Sequence, residues 1–169
     1  SGGTLFLDEI GMIPLQAQEK ILRVVEYGFF ERVGSSSSIE VDVRIVAATN
    51  EDLPLLAQSG RFKRDLLDRL SFEVLFLPPL RHRREDIPVL GMHFAQRMAR
   101  ELRLPYDFSV SENVLQQMID YDWPGNIREL KNVIERAVYT CDDGVIDTLV
   151  LDPFRNPYES KSACAGKQE

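Results

Sequence analysis

The sequence predicts an α/β fold, a parallel sheet flanked by helices, followed by a small all-helical unit. Three observations carry the prediction. Two short apolar runs, Thr4-Leu5-Phe6-Leu7 and Val43 to Ala48, each end on a polar pair, Asp8-Glu9 and Thr49-Asn50, the pattern of strands buried on both faces whose tips meet a site. Segments with helical spacing alternate with these runs, as in a parallel sheet. From Ile87 onward only helical patterns remain.

Taken in order, Thr4–Leu7 is the first strand. Pro14 to Glu26 carries Leu15, Ile21, Leu22 and Val25 at helical spacing, with proline near its start and Gly28 just past its end, which predicts a helix. Phe29 to Val33 and Ile39 to Val43 flank Gly34-Ser35-Ser36-Ser37-Ser38 and predict a hairpin with a flexible loop. Val43 to Thr49 is the second buried strand. After a polar segment punctuated by Gly60, Leu66 to Leu70 reads as a short helix, and Phe72 to Leu77 as a third strand stopped by Pro78-Pro79. Helices follow over Ile87 to Leu104, Val110 to Asp120 and Asn126 to Thr140. The last has Pro124-Gly125 before it, Gly144 after it and Asn126 with Glu129 as a capping pair. The tail from Asn156 reads as a linker.

Composition narrows the function classes. A chain of 169 residues with 44% hydrophobic content can bury one core, or one core and a small satellite. With 20 basic against 27 acidic residues the net charge is −7, which argues against this segment itself wrapping a polyphosphate backbone. The two cysteines, Cys141 and Cys164, have no metal-ligand spacing and fit a reduced compartment. No apolar run approaches the roughly 20 residues that span a bilayer, and no leader pattern is present, so the reading is a cytoplasmic protein. Ser1-Gly2-Gly3-Thr4 runs straight into a strand, from which the chain is expected to begin within a domain.

Asp8-Glu9 offers adjacent carboxylates, one able to hold Mg²⁺ directly or through water, the other able to polarise a water. An acidic pair can equally solvate a strand end or cap the next helix. Thr49 and Asn50 supply neutral groups near the edge where ligands collect in open α/β sheets, though asparagine also simply starts turns. Lys63, Arg64 and Arg69 can stabilise phosphate charge in a neighbouring subunit or form a solvated helix face. Arg128 can be a surface residue of its helix, and Trp123 reads as a core anchor. His82 and His93 lack partners at zinc spacing, and no Gly-x-Ser-x-Gly elbow occurs.

Five motifs stand in one order: Gly2-Gly3-Thr4-Leu5-Phe6-Leu7-Asp8-Glu9; Val46-Ala47-Ala48-Thr49-Asn50; Asp65-Leu66-Leu67-Asp68-Arg69-Leu70; Leu77-Pro78-Pro79-Leu80-Arg81 with Arg84-Glu85-Asp86-Ile87; and Trp123-Pro124-Gly125-Asn126-Ile127-Arg128-Glu129-Leu130. Together they closely resemble the AAA+ ATPase domain of sigma-54-dependent transcription activators, over about residues 2 to 141. The resemblance implies the C-terminal part of the α/β subdomain over 1–80, a helical lid over 81–152 and a linker or tail over 153–169. It implies that Asp8 is the Walker B magnesium residue, that Glu9 activates water, and that Thr49 and Asn50 form sensor I. Arg69 matches a trans-acting arginine finger. Lys63 stands where the family usually has another arginine, with Arg64 beside it, so the first finger stays open between them. Arg128 matches the sensor II arginine, and His82 stands where members more often carry glutamate.

The implied cofactors are ATP and Mg. The implied partners are the sigma-54 RNA polymerase holoenzyme, further copies of the chain in a ring expected to be hexameric, and DNA through a domain outside these residues. A nucleotide-binding regulatory module without hydrolysis is the alternative. Neither Gly-x-x-x-x-Gly-Lys-Ser/Thr nor the family's Gly-Ala-Phe-Thr-Gly-Ala loop occurs in the sequence. The chain is therefore read as a fragment that does not hydrolyse ATP alone. In the family the phosphate-loop strand lies between the sensor I strand and the strand near 72–77. The fragment is expected to close that gap by direct pairing or to cover the edge with another copy.

Overall fold

The computed structural model describes residues 2–31, 38–105 and 107–155, arranged as two compact units, Ser1–Phe76 and Leu77–Glu169. The Gly34–Ser37 part of the expected loop, the tail from Asn156 and Cys164 lie outside the described residues.

In the first unit, β1 (Gly3–Leu7) leads through a short 3-10 turn (Ile10–Met12) to α1 (Leu15–Tyr27). Pro14 precedes α1, where a missing N–H costs nothing. Gly28 ends it in the left-handed region at φ 69°, its N–H donating to Val24 O at 3.0 Å. A hairpin of β2 (Phe29–Glu31) and β3 (Ser38–Glu40) follows, then β4 (Val43–Ala47), which pairs in parallel with β1 from Gly3↔Val43 to Leu7↔Ala47. Two helices complete the unit, α2 (Leu53–Gln58) and α3 (Arg64–Leu70). Ile10, Leu56, Phe62 and Leu66 form its core, with Ile21, Leu22 and Val25 of α1 packed against them.

Three expectations need correction here. β1 has the apolar sequence of a doubly buried strand, yet Leu5 and Phe6, which alternate onto opposite faces, are both exposed, and among the described residues β1 pairs with β4 alone. The third strand over 72–77 does not form. That segment starts in a turn and pairs with no strand among the described residues, so the gap is not closed by direct pairing, and Phe72 stays 97% exposed. The polar segment before Gly60 contains α2, capped by Asp52, whose Oδ1 accepts the Leu55 N–H at 2.9 Å.

The second unit opens with a 3-10 turn (Leu80–His82) and holds α4 (Asp86–Glu101), α5 (Glu112–Asp120) and α6 (Asn126–Tyr139). It is not purely helical: β5 (Ser109–Val110) and β6 (Val145–Ile146) form a two-residue parallel pair. Leu80, Ile87, Phe94, Val114, Trp123 and Leu130 belong to its core. Trp123 is the expected anchor, fully buried, with its indole N–H donating to Met118 O at 2.7 Å. The expected capping pair is rearranged. Asn126 lies at φ 51° and its Oδ1 accepts the Leu80 N–H at 2.9 Å, while Glu129 Oε2 accepts the Gly125 N–H at 2.8 Å.

Candidate functional site

The parallel register decides what stands at the sheet edge. Beyond the last β1–β4 pair, the Ala48 N–H donates to Leu7 O at 2.8 Å and the Ile10 N–H donates to Ala48 O at 3.0 Å. These two bonds lock the strand tips side by side, and the buried Ile10 side chain anchors the loop that follows. Asp8-Glu9 and Thr49-Asn50 therefore leave the sheet at one edge, and all four side chains are exposed.

Glu9 turns the chain by adopting φ 51°, a left-handed conformation that costs a non-glycine residue about 1–2 kcal/mol. Asp8 Oδ1 offsets part of that cost by accepting the Glu9 N–H at 2.9 Å. On the neighbouring tip, Thr49 Oγ1 accepts the Glu51 N–H at 3.0 Å. The two loops approach so closely that a Cβ on Gly11 would lie 2.9 Å from Glu51 Cβ and 3.1 Å from Thr49 Oγ1. A larger residue at 11 would push the tips apart.

The candidate cations of the first unit, Lys63, Arg64 and Arg69, sit on or beside another element, α3. Lys63 immediately precedes α3 and its Nζ lies 2.7 Å from Glu19 Oε1. Arg69, in the last turn of α3, places Nη2 2.9 Å from Glu26 Oε1. Arg64 is exposed and has no ion pair among the described residues. The Lys63 ammonium holds the Glu19 carboxyl below the usual carboxylate range, through its hydrogen bond and its charge. Arg128 belongs to the second unit, exposed in the first turn of α6 and without an ion pair among the described residues. The structure thus brings Asp8, Glu9, Thr49 and Asn50 to one edge, and ties Lys63 and Arg69 to α1.

Sequence reasoning missed Gln18. It is fully buried, and every polar atom of its side chain is engaged. Nε2 donates to Ile13 O and Arg61 O, each at 3.0 Å, and Oε1 accepts the Lys63 N–H at 2.7 Å. The available signal was its register, three residues after Leu15 and three before Ile21, a polar residue interrupting the apolar stripe of α1.

Comparison with known proteins identifies the family. The sigma-54 interaction domain family matches residues 1–75, and the AAA+ ATPase lid domain family matches residues 81–165. The chain is 51% identical over 165 residues to the Psp operon transcriptional activator of Escherichia coli (strain K12), covering 96% of this chain and 51% of that protein. It is 53% identical over 137 residues to the DNA-binding transcriptional activator HyfR of the same organism, covering 81% of this chain and 20% of that one. The chain thus spans about half the length, or less, of these relatives. Among solved structures, NtrX from Brucella abortus in complex with ADP superposes with a TM-score of 0.79 at 35% identity, over 85% of this chain and 33% of that chain. NtrX in complex with ATP gives 0.76 at 37% identity, over 80% and 30%. The chain belongs to the sigma-54 activator family of AAA+ ATPases.

Proposed function

We propose that this chain is the Walker B, sensor and lid portion of an ATP-hydrolysing transcription activator that remodels the sigma-54 RNA polymerase holoenzyme. On this reading residues 1–80 form part of the α/β subdomain, 81–152 the lid and 153–169 a linker or tail, in a cytoplasmic, ring-forming protein that contacts DNA through another domain. Among the described residues no helix is long and apolar enough to cross a membrane.

The observation that carries the reading is the shared edge. Two adjacent parallel strands end on Asp8-Glu9 and Thr49-Asn50, held in register by the Leu7, Ile10 and Ala48 backbone bonds. The donor set fits magnesium. Asp8 engages one oxygen with the Glu9 N–H, and the residue is exposed. No group of three or more His, Cys, Asp or Glu among the described residues forms a cage for a metal, and Mg²⁺ is usually held by one or two carboxylates with waters and phosphate oxygens. Asp8 would hold Mg²⁺, which would supply positive charge against the phosphates.

Glu9, exposed on the left-handed turn that follows Asp8, accepts a proton from the water as its oxygen attacks the terminal phosphorus and ADP leaves. Thr49 has its hydroxyl oxygen fixed by the Glu51 N–H and, with Asn50, orients that water or the terminal phosphate. Arg69, with Lys63, stabilises charge on a nucleotide bound by a neighbouring copy. Arg128 couples the nucleotide to the lid. Residues 1–169 alone contain no Gly-x-x-x-x-Gly-Lys-Ser/Thr element to cradle the phosphates, so turnover is expected only in the full-length gene product.

The test is MgATP hydrolysis by the full-length gene product, its Glu9→Gln variant and the 169-residue chain. Turnover should rise steeply with protein concentration, and Glu9→Gln should lower kcat by about 10²- to 10⁴-fold. Nucleotide binding without turnover by the full-length protein would replace this reading with a non-hydrolysing regulatory module.

A further inference from the structure

We propose that Glu19 and Glu26 of α1 are positioning residues that hold the cationic heads of Lys63 and Arg69 ready for the phosphates of a nucleotide bound by a neighbouring copy. The proposal rests on the reading of Arg69 and Lys63 given above and names the residues that make those cations usable.

The spacing is the first argument. Glu19 and Glu26 are seven residues apart, two helical turns, so both lie on one face of α1 about 10 Å apart along its axis. Lys63 and Arg69 are six residues apart, about 9 Å along α3 and its cap. The matched pitch lets two parallel helices carry two ion pairs, Lys63–Glu19 at 2.7 Å and Arg69–Glu26 at 2.9 Å.

The form of the pairs is the second argument. Arg69 meets Glu26 through Nη2 alone, while Nε and Nη1 form no hydrogen bond with the described residues, and its side chain is 56% exposed. A guanidinium held end-on by one nitrogen is aimed yet keeps donors for a phosphate. The buried Gln18 amide fixes Lys63 N and Arg61 O and so sets the register of α3 against α1. Of the two neighbouring cations, Lys63 has its N–H on Gln18 and its ammonium on Glu19, as Arg69 has its guanidinium on Glu26. Arg64, the first residue of α3, has no ion pair among the described residues.

The test is a double-mutant cycle on ATP hydrolysis by the full-length gene product: Glu26→Ala, Arg69→Ala and both, with the Glu19/Lys63 pair as a second cycle. Positioning predicts that Glu26→Ala lowers kcat about fivefold, the most an exposed pair normally supplies. KM for MgATP should stay unchanged, and Glu26→Ala should have no further effect in the Arg69→Ala background. Glu26→Gln keeps an acceptor oxygen without the charge and should fall between the two. It also serves as the variant if Glu26→Ala does not fold. An equal loss in both backgrounds, no loss, or a gain on Glu26→Ala would overturn the positioning role. Full activity in Arg69→Ala would instead remove Arg69 from the chemistry, and the reading beneath the proposal would fall with it.

Discussion

Replacing Gln18 by leucine isolates what one buried amide does for the cation-bearing segment. Leucine has nearly the same volume and helix propensity, so α1 should persist and no cavity should open. Three hydrogen bonds are lost, to Ile13 O, Arg61 O and Lys63 N, at about 0.5–1.5 kcal/mol each. The sum, about 1.5–4.5 kcal/mol, falls on the segment that leads into α3 rather than on the sheet. Hydrogen exchange at the Lys63 amide reads this directly, because that amide donates to Gln18. In the full-length protein its protection should drop about tenfold to a thousandfold in Gln18→Leu. The Leu130 amide in α6, in the other unit, should be unaffected. Unchanged protection at Lys63 in a folded Gln18→Leu protein, or an equal loss at Leu130, would refute the assignment of Gln18 as a local clamp.

Asn126 combines a left-handed backbone with an acceptor for Leu80 N–H, so Asn126→Ala should destabilise the second unit by about 2–4 kcal/mol. Asn126→Gly removes only the acceptor and should cost about half as much, measured by urea denaturation; equal costs would mean that the backbone conformation carries no strain. Asp143 is held below its usual value of 3.8 by the Val145 N–H and then the Cys141 thiol, so its contribution is present above about pH 3.8 and is lost as pH falls through the lower folded value. Protection of the Val145 amide should therefore weaken on acidification below that point, and Asp143→Asn, which keeps an acceptor, should flatten the dependence.

Much of this molecule was legible because its elements declare themselves locally. The apolar stripe Leu15, Ile21, Leu22 and Val25 between Pro14 and Gly28 fixes α1 to within a residue. The polar pairs after Leu7 and Ala48 mark the strand tips that the register then brings together. What sequence did not reveal depends on distant partners. Gln18 bonds to residues 43 and 45 positions away, and Asn126 to one 46 positions away, so its αL turn replaced the helix cap that its residue type suggested. β5 and β6 are two residues each, too short for a period-2 pattern to register. α2 was missed despite a readable signal, Asp52 followed by Pro54 at the helix start.

The segment 72–77 separates the two kinds of legibility most sharply. Its residues, Phe72-Glu73-Val74-Leu75-Phe76-Leu77, have strand propensity and an abrupt proline stop, and α3 beside it is only one residue longer. Yet α3 forms and the strand does not. A helix satisfies its backbone within itself, so Arg64–Leu70 needs only a core face, which Leu66 provides. A strand leaves its N–H and C=O groups for a neighbour, and its propensity measures fit to a pleated, covered surface rather than a backbone preference. β1 finds β4 through an edge that Gly2 and Ala48 extend by one bond at each end, Gly2 N–H to Asp42 O at 2.7 Å and Ala48 N–H to Leu7 O at 2.8 Å. The segment 72–77 has no such edge among the described residues, and Leu75, Phe76 and Leu77 stay in solvent. The same apolar pattern thus gives a strand in one place and an exposed coil in the other, and the difference is the available hydrogen-bonding edge.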